Sequence, residues 1–181
     1  MVTQLAKKNY TVDEYLELEI ASDIRNEYRN GEIIPMTGGT PNHNEISINL
    51  LAVIKLALRG NPYRLFSADQ RLWIPDVKMH TYPDVMVAPK PLEMQIGRKD
   101  TITNPYFTTE VLSKSTQNYD RSEKFFAYRT IDTFQEYLLV EQYSIHIEHY
   151  VKTATNQWLF SKYNDPSVTI NQLFGSANPN S

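Results

Sequence analysis

Pro83-Asp84-Val85-Met86-Val87 and Thr109-Glu110-Val111-Leu112-Ser113 are two apolar, β-rich stretches that each carry one acid. A carboxylate in such a stretch is costly to bury unless it is paired, protonated or bound to a metal ion. A predicted helix that bears Lys124 follows the second stretch. A lone strand acid is usually a strand-end residue or a salt-bridge partner, but the two acids and the lysine together indicate a divalent-metal site.

The alternation of strand side chains predicts the direction of the two carboxylates. Asp84 shares a strand face with Met86, and Glu110 shares one with Leu112. Neighbouring strands lie about 4.8 Å apart, so adjacent carboxylates would repel each other unless a cation lay between them. Mg²⁺ or Mn²⁺ suits this position because it prefers oxygen ligands and commonly takes only one or two protein carboxylates, with water and substrate phosphate as the other ligands.

The composition fits one cytoplasmic domain. With 181 residues and 41% hydrophobic content, we expect a single domain over residues 1–181, with its core at 10–163 and a flexible polar tail after Gly175. The absence of cysteine excludes disulfides, thiolate zinc sites and cysteine nucleophiles. No run is apolar and long enough to span a membrane, and residues 1–8 lack a secretory signal's apolar region. Because the net charge is −3, a nucleic-acid role needs a local basic surface.

Short local signals define the N-terminal third of the chain. Thr11 and Glu14 form a capping-box pattern, and Asn30-Gly31 predicts a tight hairpin turn. Thr40-Pro41 begins a helix whose apolar residues recur at helical spacing. The predicted elements are a helix over residues 12–19, strands over 24–29 and 32–36, and a helix from residue 40 to Gly60.

The rest of the chain has the pattern of strands around one further helix. The predicted strands cover residues 63–74, 82–88, 106–113, 136–141, 144–152 and 157–163. A polar loop covers residues 89–105, and a helix covers residues 118–130. The central order is αβββαβ, so the fold class is α/β (α+β): a mixed sheet flanked by helices, with an N-terminal helix and hairpin.

Four further residues are candidates for the site. Lys124 is four residues from Asp120, which fits either a surface ion pair or a lysine directed at the carboxylates, where it would position water or stabilise phosphate charge. His43 is either a core histidine or a residue that faces substrate beside the metal. Glu27 and Glu32 flank the hairpin turn, and each fits a solvated strand residue as well as a site acid.

These motifs form an ordered set along residues 10–163. They are Asn26-Glu27-Tyr28-Arg29-Asn30-Gly31-Glu32-Ile33-Ile34, His43, Pro83-Asp84-Val85-Met86-Val87, Glu110-Val111-Leu112-Ser113-Lys114-Ser115-Thr116, Asp120-Arg121-x-x-Lys124 and Glu136-Tyr137-Leu138-Leu139-Val140. In this order the sequence resembles the PD-(D/E)XK, restriction-endonuclease-like superfamily. It resembles more closely the bacterial Uma-type family, which is assigned to the endonucleases and catalogued as a domain of unknown function.

The resemblance implies a restriction-endonuclease-like αβββαβ core and hydrolysis of DNA with Mg²⁺ or Mn²⁺. By position it makes Asp84 and Glu110 the metal ligands and Glu27 the N-terminal acid of the site, with Glu32 as the alternative. The superfamily lysine normally stands two residues after the glutamate, where this chain has Leu112. In the Uma-type group a lysine on the following helix takes that place, which corresponds to Lys124 here.

The leading hypothesis is therefore a Mg²⁺-dependent endonuclease that acts on DNA. Its predicted catalytic residues are Asp84, Glu110, Lys124, Glu27 and His43, and the basic residues expected to contact phosphates are Lys114, Arg121 and Arg129. The alternative is a catalytically inactive nuclease-fold module that binds nucleic acid or protein, with a homodimer left open. A glycosidase with two acids is disfavoured, because no aromatic pattern of a sugar cleft surrounds them.

Overall fold

The computed structural model describes residues 9–167, so the predicted tail after Gly175 lies outside the described residues. Its elements are α1 (Val12–Ala21), β1 (Asn26–Arg29), β2 (Glu32–Pro35), α2 (Pro41–Ala57), β3 (Tyr63–Ser67), β4 (Arg71–Ile74), β5 (Met79–Thr81), β6 (Val85–Pro89), β7 (Thr101–Ile102), β8 (Phe107–Leu112), β9 (Glu136–Glu141), β10 (Ile147–Ala154) and β11 (Gln157–Tyr163). Between β8 and β9 lies a helical segment, called the site helix below. It consists of α-helical Gln117–Tyr119, π-helical Asp120–Lys124 and α-helical Phe125–Tyr128.

The larger sheet contains the αβββαβ order that the sequence predicts. Its strand order is β11-β10-β9-β8-β6-β3, and β8 and β9 are parallel while the other neighbours are antiparallel. Along the chain the core runs α2, β3, β6, β8, site helix, β9. The parallel β8–β9 pair needs a crossover connection, which the site helix provides. The predicted fold class is confirmed.

A second, five-stranded sheet has the order β2-β1-β5-β4-β7. The prediction of one strand over residues 63–74 is wrong. The Gln70 N–H donates to the Ser67 carbonyl in a turn that divides this range into β3 and β4. The two strands belong to different sheets. The prediction that residues 89–105 form only a loop is also wrong, because this range contains the short strand β7. A continuous run of β-forming residues does not reveal where a strand leaves its sheet.

The local signals in the N-terminal third have the geometry that they predict. The Thr11 hydroxyl accepts the Glu14 N–H while the Glu14 carboxylate accepts the Thr11 N–H, which is a complete capping box. Asn30 and Gly31 have φ values of 43° and 102°, as a primed hairpin turn requires. Thr40 caps α2 by accepting the His43 N–H at 3.1 Å. This cap also positions His43 on the first turn of α2.

The central strands of the larger sheet, β6, β8 and β9, are buried on both faces. Val85 and Val87 pack with Ile54 of α2 on one face, whereas Met86 and Ala88 contribute to the core on the other. That second core includes the site helix and residues of the smaller sheet. Burial on both faces explains the near-continuous apolar run of β6. Within residues 9–167, no helix combines the length and the hydrophobicity needed to cross a membrane.

His80 of β5 is a neutral histidine inside the smaller sheet. Its ring is fully buried, 4.2 Å from the Trp73 ring centroid and 5.0 Å from that of Tyr15. Burial lowers the pKa of His80 to about 4. In the unfolded chain the pKa returns to about 6.5, so between these values the unfolded state binds a proton that the folded state excludes.

We expect the free energy of unfolding to fall as the pH decreases from about 6.5 to 4, with His80 contributing up to about 3 kcal/mol of that loss. The His80→Phe variant keeps an aromatic ring and should have a shallower pH dependence across this window. Urea denaturation at several pH values measures the difference, with His146→Gln as the control at a less buried histidine. Parallel curves for wild type and His80→Phe would contradict this assignment.

Candidate active site

One cleft of about 390 Å³ contains the side chains that the sequence predicts to be catalytic. Its walls come from the hairpin, the start of α2, the approach to β6, the end of β8 and the site helix. The five predicted residues that line it are Glu27, His43, Asp84, Glu110 and Lys124. Residues up to 97 positions apart in the chain (27 and 124) therefore meet in one place.

Lys124 lies at the centre of the buried part of this cleft. The residue is only 5% exposed, and its Nζ lies 2.9 Å from Glu110 Oε2, 3.5 Å from Glu27 Oε1 and 3.7 Å from Asp120 Oδ1. Burial alone would lower the pKa of Lys124, but the three carboxylates outweigh it and raise the pKa well above its ordinary value. Lys124 is therefore a buried ammonium group, and the alternative of a surface ion pair with Asp120 is wrong.

The π-helical turn of the site helix directs both of its charged ends into the cleft. Asp120 and Lys124 are the first and last residues of this turn, and both are buried. The Tyr137 hydroxyl donates to the Asp120 carbonyl at 2.9 Å and so ties the turn to β9. Leu112, at the position of the usual superfamily lysine, is a core residue with 1% exposure. The positive charge reaches the cleft from the helix instead.

Asp84 is held by a main-chain and a side-chain donor. Its Oδ2 accepts the Val111 N–H at 2.8 Å and lies 3.2 Å from His43 Nε2. The hydrogen bond with Asp84 is the main cause that raises the pKa of His43, against the opposing effect of burial. The prediction that Asp84 lies within a strand is wrong, because it precedes β6, which begins at Val85. Its position depends on these contacts rather than on strand pairing.

Glu27 is the hairpin acid that reaches the cleft. Thr81 donates its hydroxyl to Glu27 Oε1, and Arg29 Nη2 donates to Oε2 at 2.7 Å. Burial acts to raise the pKa of Glu27, but Lys124, Thr81 and Arg29 together lower it. Glu32 lines a neighbouring cavity instead of the cleft. Of the two hairpin acids, the geometry brings only Glu27 to the other predicted residues.

Glu110 is the most deeply enclosed acid of the cleft. Tyr128 donates its hydroxyl to Oε1 at 2.7 Å, while Lys124 contacts Oε2. Burial raises the pKa of Glu110 well above its ordinary value, and the charges of Asp84 and Asp120 add to that effect against the opposing charge of Lys124. An additional cation in the cleft would favour the ionised form of this carboxyl group.

The donor set fits an oxygen-seeking divalent cation. Four carboxylates line the cleft, and two of them belong to neighbouring strands: Asp84 directly precedes β6, and Glu110 lies within β8. Within the described residues, no group of three or more histidine, aspartate or glutamate side chains is arranged to hold a metal ion. A cation here would therefore take one or two carboxylates and complete its shell with water or substrate, as Mg²⁺ commonly does.

Arg29, Asp120 and Tyr119 also line the cleft, although the sequence did not predict them as site residues. Arg29 is two positions from Glu27 on β1, a spacing that puts both side chains on one strand face and could have revealed it. Its guanidinium carbon lies 3.3 Å from the Tyr119 ring centroid. For Asp120 the signal is its spacing of four residues from Lys124, which places both side chains on one side of a helix. For Tyr119 we find no signal in the sequence.

The three basic residues expected near the site have different environments. Lys114 lines the cleft. Arg121 instead pairs with Glu148 at 3.0 Å, and the guanidinium of Arg129 lies 4.8 Å from the Phe125 ring centroid. Only Lys114 of the three is therefore in a position to meet a ligand inside the cleft.

Comparisons with known proteins give one consistent result. A sequence model of Uma2, described as "Putative restriction endonuclease", matches residues 12–176. The uncharacterized protein sll1609 of Synechocystis sp. is 38% identical over 174 residues, covering 96% of this chain and 98% of that protein. The uncharacterized protein slr1290 of the same organism is 37% identical over 153 residues, covering 83% and 78%.

A solved structure has a similar fold. It is the crystal structure of "a putative nuclease belonging to DUF820" from Anabaena variabilis, with a TM-score of 0.71. The similarity covers 92% of this chain and 98% of that chain at 18% sequence identity. At this identity, the similarity concerns the fold.

The buried lysine generates a stability prediction. Lys124→Met removes the ammonium group and leaves the buried carboxylates without their cation, so we expect a loss of about 3 to 5 kcal/mol in the free energy of unfolding near neutral pH. Lys114→Met, at an exposed lysine of the same cleft, should change it by less than about 0.5 kcal/mol. Urea denaturation of both variants tests this, and equal losses would show that Lys124 does not neutralise the acids.

Proposed function

Since the chain belongs to the Uma2 family, we propose that it is a divalent-metal-dependent endonuclease that hydrolyses DNA phosphodiester bonds. The observation that carries the proposal is the buried ammonium of Lys124, 2.9 Å from Glu110 in a cleft that Asp84 also lines. A phosphoryl-transfer site needs positive charge fixed beside carboxylates that can hold a metal ion. This cleft combines both within one enclosed space.

Asp84 and Glu110 would hold the metal ion through their carboxylate oxygens. When bound, Mg²⁺ or Mn²⁺ would supply charge stabilisation at the scissile phosphate and lower the pKa of a bound water. His43 and the Val111 N–H orient the Asp84 carboxylate, and Tyr128 orients that of Glu110. These donors hold the two ligands before a cation arrives, which reduces the reorganisation that binding requires.

Lys124 would act on the substrate phosphate or on a water molecule beside it. Its position is constrained by three carboxylates, so the ammonium can stabilise charge on the phosphate or orient a water without moving far. Glu27 holds the second side of this ammonium and also fixes Arg29. Lys114, exposed at the cleft, would contact a backbone phosphate and set the position of the strand without reading its sequence.

The comparisons support the nuclease part of this proposal. The family description and the description of the Anabaena variabilis protein both refer to nucleases. The choice of Mg²⁺ or Mn²⁺ rests on the oxygen donors of the cleft. The choice of DNA rests on the description of the family as restriction endonucleases.

A cleavage assay tests the proposal. Wild-type protein should convert supercoiled plasmid to nicked or linear DNA with Mg²⁺ or Mn²⁺ and should lose this activity in EDTA. Asp84→Ala and Glu110→Ala should each lose more than about 100-fold, since residues that only support metal ligands already cost 10- to 100-fold.

Glu45→Ala is the matched control, because Glu45 is an exposed acid on α2 outside the cleft. It should cleave like wild type. Equal cleavage by wild type, Asp84→Ala and Glu110→Ala would overturn the assignment of the metal site.

The alternative is a non-catalytic module of the nuclease fold that binds nucleic acid or protein. One observation favours it: within the described residues there is no metal-holding group of three or more His, Asp or Glu side chains, and Lys124 already neutralises much of the acid cluster. Calorimetric titration with Mn²⁺ separates the two functions. The endonuclease should bind Mn²⁺ at a site that Asp84→Ala abolishes, whereas the module should bind none there.

A further inference from the structure

A second cavity, called the side pocket here, adjoins the candidate active site. It has a volume of about 730 Å³ and shares Arg29 and Ile34 with the cleft. The π turn of the site helix contributes to both spaces, with Lys124 in the cleft and Glu123 in the side pocket. A chain molecule whose backbone lies in the cleft can therefore extend a neighbouring group into the side pocket.

The walls of the side pocket combine an apolar floor with an exposed aromatic ring. Val77, Met79 and Ile34 supply aliphatic and thioether surface, and Met79 belongs to the main core. Phe126 is 57% exposed, although most phenylalanine side chains are largely buried. A flat ligand that stacks on Phe126 would cover this exposed ring.

The polar groups of the side pocket suit the edge of a nucleobase better than a phosphate. The Asn30 amide can donate and accept hydrogen bonds, and the Ser122 hydroxyl can do the same. Glu123 brings negative charge that would repel a phosphate. A carboxylate accepts hydrogen bonds from amino groups such as N4 of cytosine.

Arg29 supplies the positive charge at the boundary between the two spaces. Its Nε and Nη2 donate to Glu27 Oε2 at 3.3 and 2.7 Å, and its guanidinium stacks on the Tyr119 ring. A phosphate at this boundary would meet a fixed guanidinium, while its base could enter the side pocket.

We propose that the side pocket binds one unpaired nucleobase of the strand whose phosphate lies in the cleft. This inference rests on the proposed function and gives its substrate class: DNA with an unpaired nucleotide beside the scissile phosphate. In a fully paired duplex the neighbouring bases cover both faces of each base, and stacking on Phe126 would require extrusion at a cost of a few kcal/mol. A single strand avoids that cost.

The test is binding of a labelled single-stranded oligonucleotide of about twelve nucleotides, compared with the same sequence as a duplex. Fluorescence anisotropy in EDTA measures affinity without metal-dependent cleavage. Wild type should prefer the single strand, and Phe126→Ala should weaken single-strand binding roughly tenfold while changing duplex binding by less than about twofold.

Phe160→Ala is the matched control, because Phe160 is a 43% exposed phenylalanine on β11 that does not line the side pocket. It should bind both oligonucleotides like wild type. Thermal unfolding of both variants checks that each is folded. Wild-type affinity of Phe126→Ala for the single strand, or an equal loss for single strand and duplex, would overturn the proposal.

A second measurement detects stacking through fluorescence quenching instead of through a loss of affinity. Phe126→Trp places an indole at the stacking position. A single-stranded oligonucleotide should therefore quench the tryptophan fluorescence of this variant more than it quenches that of wild type, which has two tryptophans elsewhere. No additional quenching would count against stacking at this residue.

Cleavage of both the plasmid and the single-stranded oligonucleotide, assayed with Mg²⁺ or Mn²⁺, separates failure of the side pocket from failure of the proposed function. If wild type cleaves DNA but Phe126→Ala binds and cleaves identically, the nuclease stands and the side pocket is wrong. If no metal-dependent cleavage occurs but single-strand binding depends on Phe126, the nuclease is wrong and the side pocket stands as the binding site of a nucleic-acid module.

Discussion

The buried ammonium of Lys124 is the interaction on which the rest of the site depends. A charged group removed from water costs several kcal/mol unless opposite charges and hydrogen bonds compensate it. Here the compensation comes from three elements: Glu27 on β1, Glu110 on β8 and Asp120 on the site helix itself. The three elements are thereby linked through one ammonium group, and moving the hairpin away would separate the Glu27 carboxylate from Lys124. Electrostatics couples the smaller sheet to the αβββαβ core at the point where the cleft opens.

The central strand β8 organises the cleft through its backbone as well as its side chains. All six of its residues are buried, and its neighbours are β6 and β9. Near its end, the Val111 N–H binds the Asp84 carboxylate, and the Leu112 carbonyl accepts the Gln142 amide at 2.6 Å. Thr40, the N-cap of α2, donates to the same Gln142 side chain at 2.6 Å. This chain of contacts holds the first turn of α2, and therefore His43, against Asp84.

Local and periodic features of the chain were predictable because each depends on a few neighbouring residues. The capping box of Thr11, the Asn30-Gly31 turn and the proline that opens α2 have their expected geometry. The αβββαβ order was predictable from the alternation of apolar runs and helical spacing. The division of residues 63–74 into β3 and β4 was not, because both halves have the same β-forming composition and only pairing with different sheets distinguishes them.

The sequence by itself determined the order of elements, since this order follows from residue type and short-range spacing. Together with the family resemblance, it also predicted Asp84, Glu110 and Lys124 as site residues. Tertiary structure alone decided which of Glu27 and Glu32 enters the cleft, that Asp120 and Arg29 join it, and that Lys124 is buried. It also decided that Phe126 borders a cavity next to the cleft. The physical reason is that burial and ion pairing depend on distances between elements far apart in the chain. A charge pattern such as Asp120 and Lys124 is the same in sequence whether the helix faces water or a cluster of carboxylates.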